Sequence, residues 1–184
     1  GLFCAAQAGK RGLRVLVIDH YERLAEKVRI SGGGRANFTN RELDPAAPHK
    51  HFLGHNPQFC RSALARFTPN DITALLDRHG VTWHEKHKGQ LFCDRSAGDL
   101  INVLLAECEA AATADGSVSR WQPCRVRNVR FQEKSPASAT PTCAGSYIVD
   151  SDNGVATAPA LVIATGGLSI PKIGASDLGL RLAK

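Results

Sequence analysis

Apolar and polar positions keep two different periods along this chain, and the changes of period mark out its elements. Residues 2–11 are rich in small apolar side chains at helical spacing and predict a helix that packs closely on a sheet, with Gly12 as its stop. Arg14-Val15-Leu16-Val17-Ile18-Asp19 is a continuous apolar run ending in an acid, the pattern of a buried parallel strand. A short charged helix over 22–30 leads into Ser31-Gly32-Gly33-Gly34-Arg35-Ala36-Asn37-Phe38-Thr39-Asn40. Prolines and histidines from Asp44 to His55 mark a surface loop. A helix is predicted from Asn56-Pro57 through Phe59, Ala63, Leu64 and Phe67, and another from Thr68-Pro69 with Ile72, Leu75 and Leu76 on one face and Gly80 as its end. Two short strands, Val81–Glu85 and Gln90–Cys93, join through Lys88-Gly89. Ser96 and Asp99 approximate a capping box before a helix carrying Leu100, Leu104, Leu105, Cys108 and Ala112. Three strand-like runs follow, over 120–131, 146–151 and 155–164. A Ser/Pro/Ala/Thr-rich loop separates the first two, and Asp152-Asn153-Gly154 marks a tight hairpin between the last two. The final run ends Ala160-Leu161-Val162-Ile163-Ala164-Thr165-Gly166-Gly167, and Ser176 is placed to cap a closing helix.

Three glycines in succession can take backbone conformations closed to other residues, so that their amides turn inward to line an anion site. Arg35 adds a planar fork of donors suited to phosphate, and Asn37, Thr39 and Asn40 add short polar groups able to orient a ligand. The plain alternative is a glycine turn with a solvated arginine. No Lys-Ser or Lys-Thr pair follows the glycines, which excludes a nucleotide P-loop. Asp19 lies 18 residues beyond Gly1. In a dinucleotide-binding βαβ unit the last fingerprint glycine opens the helix, and an acid about 20 residues on takes the ribose hydroxyls. Gly1 and Asp19 fit those two positions; alternatively Asp19 caps a strand-to-helix turn. Thr165-Gly166-Gly167 ends a second apolar run where a ligand backbone can approach a sheet edge.

The 184 residues suffice for one sizeable domain, and the 43% apolar and 22% charged shares are ordinary for a globular protein. No apolar run approaches the roughly 20 residues of a membrane span, and the first residues lack a signal peptide. With no methionine and a Gly start, the chain reads as an internal fragment. Six cysteines without a Cys-x-x-Cys pair point to free thiols and a reducing, cytoplasmic setting. The net charge of +6 suits an anionic ligand or nucleic acid, yet the 23 basic residues are spread without a dense block.

Ile30–Asn40 resembles the signature of the BaiN/RdsA-type NAD(P)/FAD-dependent oxidoreductases, a group also labelled aminoacetone oxidase-like. So do Asn56–Phe67, Trp83-His84-Glu85-Lys86, Gly89–Asp94 and Ala164–Pro171, and the likeness runs along essentially the whole chain. The resemblance implies an α/β fold: a glutathione-reductase-like, doubly wound FAD-binding Rossmann domain with a β-meander, truncated at both ends. On that reading residues 1–184 lack the first strand, the helical segment covers about 56–113 and the meander about 119–164. The inserted and C-terminal parts are absent. Gly1 is expected to close the pyrophosphate turn and Asp19 to hold the adenosine ribose. Gly32, Gly33, Gly34, Arg35, Asn37 and Thr39 are expected beside the pyrophosphate and flavin. Val126 would meet the adenine through its backbone, and Thr165, Gly166 and Gly167 would pack against the cofactor. Members commonly carry Cys after the loop arginine, where this chain has Ala36.

Several sharper readings weigh less than their plain alternatives. His84-x-x-His87 lies on a strand and turn, where that spacing does not aim both rings one way, so no metal is expected. No fixed base can be named for Cys60 or Cys93 as a nucleophile. Glu85 and Lys86 read as strand-edge charges rather than substrate groups. Arg120, Arg125, Arg127 and Arg130 either face RNA or sit on a solvated sheet face. The expected function is a flavin-dependent oxidoreductase in which FAD carries a hydride from NAD(P)H to an electron-poor double bond. The resemblance points both to uridine in 23S-type ribosomal RNA and to a small metabolite, leaning toward the RNA. A non-catalytic nucleotide- or RNA-binding module is the alternative from another class. No side chain is nominated as proton donor, and the oligomeric state stays open.

Overall fold

The computed structural model describes residues 1–52, 54–56, 58–133, 145–168, 170 and 175–182. In chain order the elements are α1 (Leu2–Gly9), β1 (Arg14–Ile18), α2 (Glu26–Ile30), β2 (Asn37–Asn40), α3 (Arg61–Arg66), α4 (Pro69–Arg78), β3 (Trp83–Glu85), β4 (Gln90–Cys93), α5 (Ala97–Glu109), β5 (Ser117–Trp121), β6 (Val126–Glu133), β7 (Gly145–Ser151), β8 (Gly154–Ala158) and α6 (Leu178–Leu182). They fall into two compact units, Gly1–Glu26 with Ala106–Lys184, and Lys27–Leu105.

In the first unit β1 and β5 pair in parallel, from Arg14 opposite Ser117 to Ile18 opposite Trp121. Helix α1 packs on them as its small residues predict: a Cβ at Gly9 would lie 2.8 Å from the Ala111 Cβ and 3.0 Å from Val118. Gly12, at φ +82°, ends the helix region and turns the chain into β1. Strands β6, β7 and β8 form an antiparallel meander, closed by the expected hairpin with Ser151 opposite Gly154. The loop expected over 135–145 lies almost wholly outside the described residues.

Two expectations for this unit are corrected. The run over 120–131 is two strands in two sheets, because Pro123 has no N–H to give a ladder and the next amide, that of Cys124, donates to the Asp19 carbonyl at 2.8 Å. The meander therefore covers 126–158 rather than about 119–164. The apolar run 160–164 is not a strand: it pairs with no described strand, and Val162 and Ile163 remain 65% and 43% exposed. Composition made it strand-like, but a strand exists only through a ladder.

The second unit is built on a three-stranded antiparallel sheet in the order β2-β4-β3. Leu91 and Cys93 of β4, Leu75 and Leu76 of α4, and Leu100 and Ile101 of α5 supply its buried side chains. A reciprocal capping box starts α4: the Asp71 amide donates to the Thr68 hydroxyl, and the Thr68 amide donates to the Asp71 carboxylate. At Ser96 the box is partial, since its hydroxyl accepts from the Gly98 amide instead of that of Asp99. The helix expected from Asn56 begins at Arg61, where the first i to i+4 bond, from the Leu64 amide to the Cys60 carbonyl, closes. Before it the Phe59 and Arg61 amides make i to i+3 turns, and Pro57 lies outside the described residues. The span 56–113 is thus not purely helical, with β3 and β4 inside it. Strand β2 escapes sequence reasoning because Asn37-Phe38-Thr39-Asn40 is polar and bulged; pairing with β4 creates it.

Leu76 is fully buried. Leu76→Ala is expected to destabilise the protein by about 2–5 kcal/mol, read as a lower urea midpoint.

Candidate functional site

At the carboxyl end of β1 the backbone and side chain of Asp19 do different work. Its amide donates to the Trp121 carbonyl at 3.1 Å and its carbonyl accepts from Cys124, holding the strand end in place. Its Oδ1 accepts the Tyr21 amide at 2.9 Å, so the turn-capping alternative is realised. The side chain stays 33% exposed, which leaves the carboxylate within reach of a ligand as well. Beside it opens a depression of about 650 Å³ lined by His20, Tyr21, Glu22, Arg23 and Arg125. Gln122 Nε2 donates to the Tyr21 carbonyl at 2.9 Å and ties the rim to the β5–β6 connection. Val126 follows Arg125 directly and opens β6 opposite Ser151. Asp19 and Val126 are therefore brought to one region by the crossing of β1 with the chain after β5.

Gly1 lies at the N-terminus of α1, and a Cβ there would sit 3.9 Å from the Ala164 Cβ. This places Gly1 beside the segment Thr165-Gly166-Gly167. Gly166 has φ +72°, and no atom crowds the outer side of Gly166 or Gly167. Gly179 was not foreseen: a Cβ there would fall 2.3 Å from Thr165 Oγ1, so α6 can lie on Thr165 only through a glycine. No residue pattern marked it, since its partner is 14 positions away in a segment expected to be a strand.

The remaining predicted residues belong to the second unit. Gly32, Gly33 and Gly34 have φ of +59°, +67° and +85°, and Ala36 follows at +51°. The bend so formed is tied down by its own backbone. The Ser31 carbonyl accepts from the Gly34 and Ala36 amides, while the Gly34 and Arg35 carbonyls accept from Ala97 and Cys93. Of the glycine amides expected to line an anion site, that of Gly34 is thus committed to Ser31, together with the neighbouring Ala36 amide. Gly32 is wedged, its Cβ position 2.5 Å from the Phe92 ring, whereas Gly33 and Gly34 face open space. Arg35 and Asn37 are exposed, Thr39 half-buried and Ala36 buried. Asn40, expected to orient a ligand, is structural: its Nδ2 donates to the Lys88 carbonyl and its Oδ1 accepts from Glu42, both at 2.8 Å.

Asn37, Phe92 and His84 are opposite one another across β2, β4 and β3 and share a face of the sheet. The His84 ring stacks on Phe92 with centroids 6.2 Å apart, and Lys86 lies 4.2 Å over the other ring. His84 Nδ1 is 2.6 Å from Asp94 Oδ1. Hydrogen bonds from His84 and then Thr82 hold the Asp94 carboxyl below its ordinary value, with smaller help from the charges of His84 and Arg35. This pair went unnoticed in the sequence, although the β3–β4 register sets Thr82 beside Asp94 and so makes His84 its diagonal neighbour. Burial pushes the Cys93 thiol up, away from the reactive thiolate. Among the described residues no three His, Cys, Asp or Glu side chains gather as a metal site. No described helix is long and apolar enough to cross a membrane.

Comparison with known proteins gives the chain its relatives. The family model described as HI0933-like protein Rossmann domain matches residues 1–184. The chain is 41% identical to the ribosomal RNA dihydrouridine synthase of Escherichia coli K12, over all of this chain and 41% of that protein. It is 37% identical to the Haemophilus influenzae protein of the same description, over all of this chain and 42% of that one. It is 22% identical to the 3-dehydro-bile acid delta(4,6)-reductase of Clostridium scindens, over 98% of this chain and 39% of that protein. The chain thus spans about two fifths of the length of these relatives.

Two predictions test the geometry. Gly33→Ala should cost about 1–2 kcal/mol, the left-handed backbone alone, while Gly32→Ala adds a collision with Phe92 and should cost clearly more in the same denaturation experiment. Because the Asp94 carboxyl is depressed in the folded protein, its contribution is fully present above the ordinary value of 3.8 and is lost as pH falls through the lower folded value. Urea midpoints of Asp94→Asn should therefore fall less steeply than wild type as pH drops below 3.8.

Proposed function

The chain belongs to the HI0933-like protein Rossmann domain family, and from that premise we propose that the protein is an FAD-dependent oxidoreductase that reduces uridine to dihydrouridine in ribosomal RNA with NAD(P)H. The observation that carries the cofactor reading is Asp19, a half-exposed carboxylate at the end of a parallel strand beside an open depression. A ribose offers hydroxyl donors, and the carboxylate can accept from them while its Oδ1 keeps the Tyr21 amide. Gly1, at the start of an eight-residue helix and exposed, leaves the first-turn amides open to a diphosphate. These residues fit FAD. Val126 would meet the adenine edge through its backbone, and Thr165, Gly166 and Gly167 would pack against the cofactor near Gly1.

Gly32, Gly33 and Gly34 with Arg35, Asn37 and Thr39 would serve the diphosphate and flavin side. With two loop amides committed to Ser31, the positive charge there comes from the Arg35 guanidinium. Ala36 is 1% exposed, which supports a packing role for whatever residue stands at this position. Bound FAD supplies the acceptance of a hydride from NAD(P)H and its return to the pyrimidine double bond. Action on ribosomal RNA implies work in the cytoplasm.

The identities of 41% and 37% to two ribosomal RNA enzymes, against 22% to a bile acid reductase, favour RNA over a small metabolite as substrate. The full-length protein should purify yellow with flavin absorbance; a colourless protein that takes up no added FAD would also favour the binding-module alternative. Asp19→Asn keeps an acceptor for Tyr21 but removes the charge, and should weaken FAD binding about tenfold. Mass analysis of ribosomal RNA from a deletion strain should show dihydrouridine lost. An unchanged level would end the RNA reading and leave the small-molecule one.

A further inference from the structure

Between Asp44 and Asp71 the chain contains no acidic residue, while it carries Lys50, Arg61 and Arg66 together with His49, His51 and His55. Pro48 is the one buried residue among the described residues of this stretch. Helix α3 has no buried residue, and Lys50, Arg61 and Arg66 are all exposed. None of these three is ion-paired among the described residues, unlike Arg41, Arg95 and Arg127, which are held by Glu85, Asp99 and Asp152. One turn before α3 stands Phe59, 86% exposed, in the tight turn that its amide makes with the Asn56 carbonyl.

A six-residue helix with no buried residue and only Leu64 half-buried contributes little to folding, so its exposed cations are open to another role. Uncompensated cations bind phosphates by releasing counterions, and a solvent-facing ring offers a stacking surface for an unpaired base. A membrane surface would ask for a continuous apolar face, whereas apart from Phe52 the exposed described residues from Lys50 to Arg66 other than Phe59 are polar, small or cationic. We propose that the acid-free stretch between Asp44 and Asp71, through the exposed side chains of Lys50, Phe59, Arg61 and Arg66, docks the RNA substrate, the cations on its phosphates and Phe59 on a base. This rests on the ribosomal RNA reading above and adds where that RNA is held. In the meander Arg127 is held by Asp152, whereas the exposed Arg120, Arg125 and Arg130 have no ion pair among the described residues, so what sets the α3 stretch apart is the exposed Phe59 within a run without acids.

The experiment uses the full-length protein and filter binding of unmodified ribosomal RNA from a deletion strain, across a range of salt. The double variant Arg61→Glu, Arg66→Glu should bind about tenfold or more weaker, and its log affinity should depend on log salt with a slope smaller by about 1.4–1.8. Phe59→Ala should lose about fivefold with no change of slope. FAD content and NAD(P)H oxidation by an artificial acceptor should stay at wild-type values in both. The same two-charge reversal at Arg11 and Arg130 should have a much smaller effect. Unaltered RNA binding in the α3 variants overturns the proposal, as does an equal loss from the Arg11 and Arg130 reversal. If wild type itself does not bind the RNA and the deletion strain keeps its dihydrouridine, the substrate reading fails and the surface with it. The milder pair Arg61→Gln, Arg66→Gln repeats the measurement if charge reversal impairs expression.

Discussion

Backbone hydrogen bonds that fasten one strained bend hold the second unit in its shape. Gly32, Gly33, Gly34 and Ala36 all take positive φ, a conformation each L side chain resists by roughly 1–2 kcal/mol. Glycine removes that cost three times, and at Ala36 the surrounding structure bears it. What offsets it is visible: Ser31 accepts two amides from the bend, and the Gly34 and Arg35 carbonyls are capped by Ala97 at the start of α5 and Cys93 at the end of β4. The bend thus fixes where α5 begins and where β2 can start. Phe92 fills the space under Gly32 and makes ring contacts with His84 and Lys86. The outward result is an exposed guanidinium at Arg35 on a backbone that cannot drift.

The first unit follows a similar economy. Strand β1 ends at a residue whose amide, carbonyl and carboxylate are each given a partner, and the partners come from β5, from the chain after Pro123 and from the following turn. Strand end, depression and meander entry are thereby set by one residue. That is why an acid here is compatible with a plain structural role and with ribose recognition together. The two readings use different lone pairs of the same carboxylate.

What could be read in advance divides along physical lines. Local chemistry was legible: the stop at Gly12, the capping box at Thr68 and the hairpin at Asp152-Asn153-Gly154 all rest on conformational preferences of neighbouring residues. The strand at β1 was equally plain from its apolar run, although the expected burial is incomplete: Arg14 is exposed and Val15 to Ile18 are half-buried. Features made by distant pairing were not. Strand β2 is polar and exists because β4 lies beside it, and the run 160–164 has strand composition but no described neighbour to make it one. Gly179 matters through Thr165, and His84 meets Asp94 only once the hairpin register is known. Asn40 shows the reverse error: a polar residue in a ligand-like motif spends both ends of its amide on the chain itself.

The contrast between Asn40 and Arg35 carries a general point about this motif. Short polar side chains in a tight bend find backbone groups within reach, and a satisfied amide has little left to offer a ligand. A long cationic side chain next to a bend whose carbonyls are already capped has no such local partner. Its charge helps lower the nearby Asp94 carboxyl, and among the described residues no hydrogen bond or ion pair holds its donors. The same reasoning explains why charge counted along the chain says little, while charge counted after pairing says more. Arginines at 41, 95 and 127 are absorbed by carboxylates of the fold, and those at 35, 61 and 66 have no ion pair among the described residues. On the reading proposed above, a phosphate-bearing ligand meets the cations the fold leaves over.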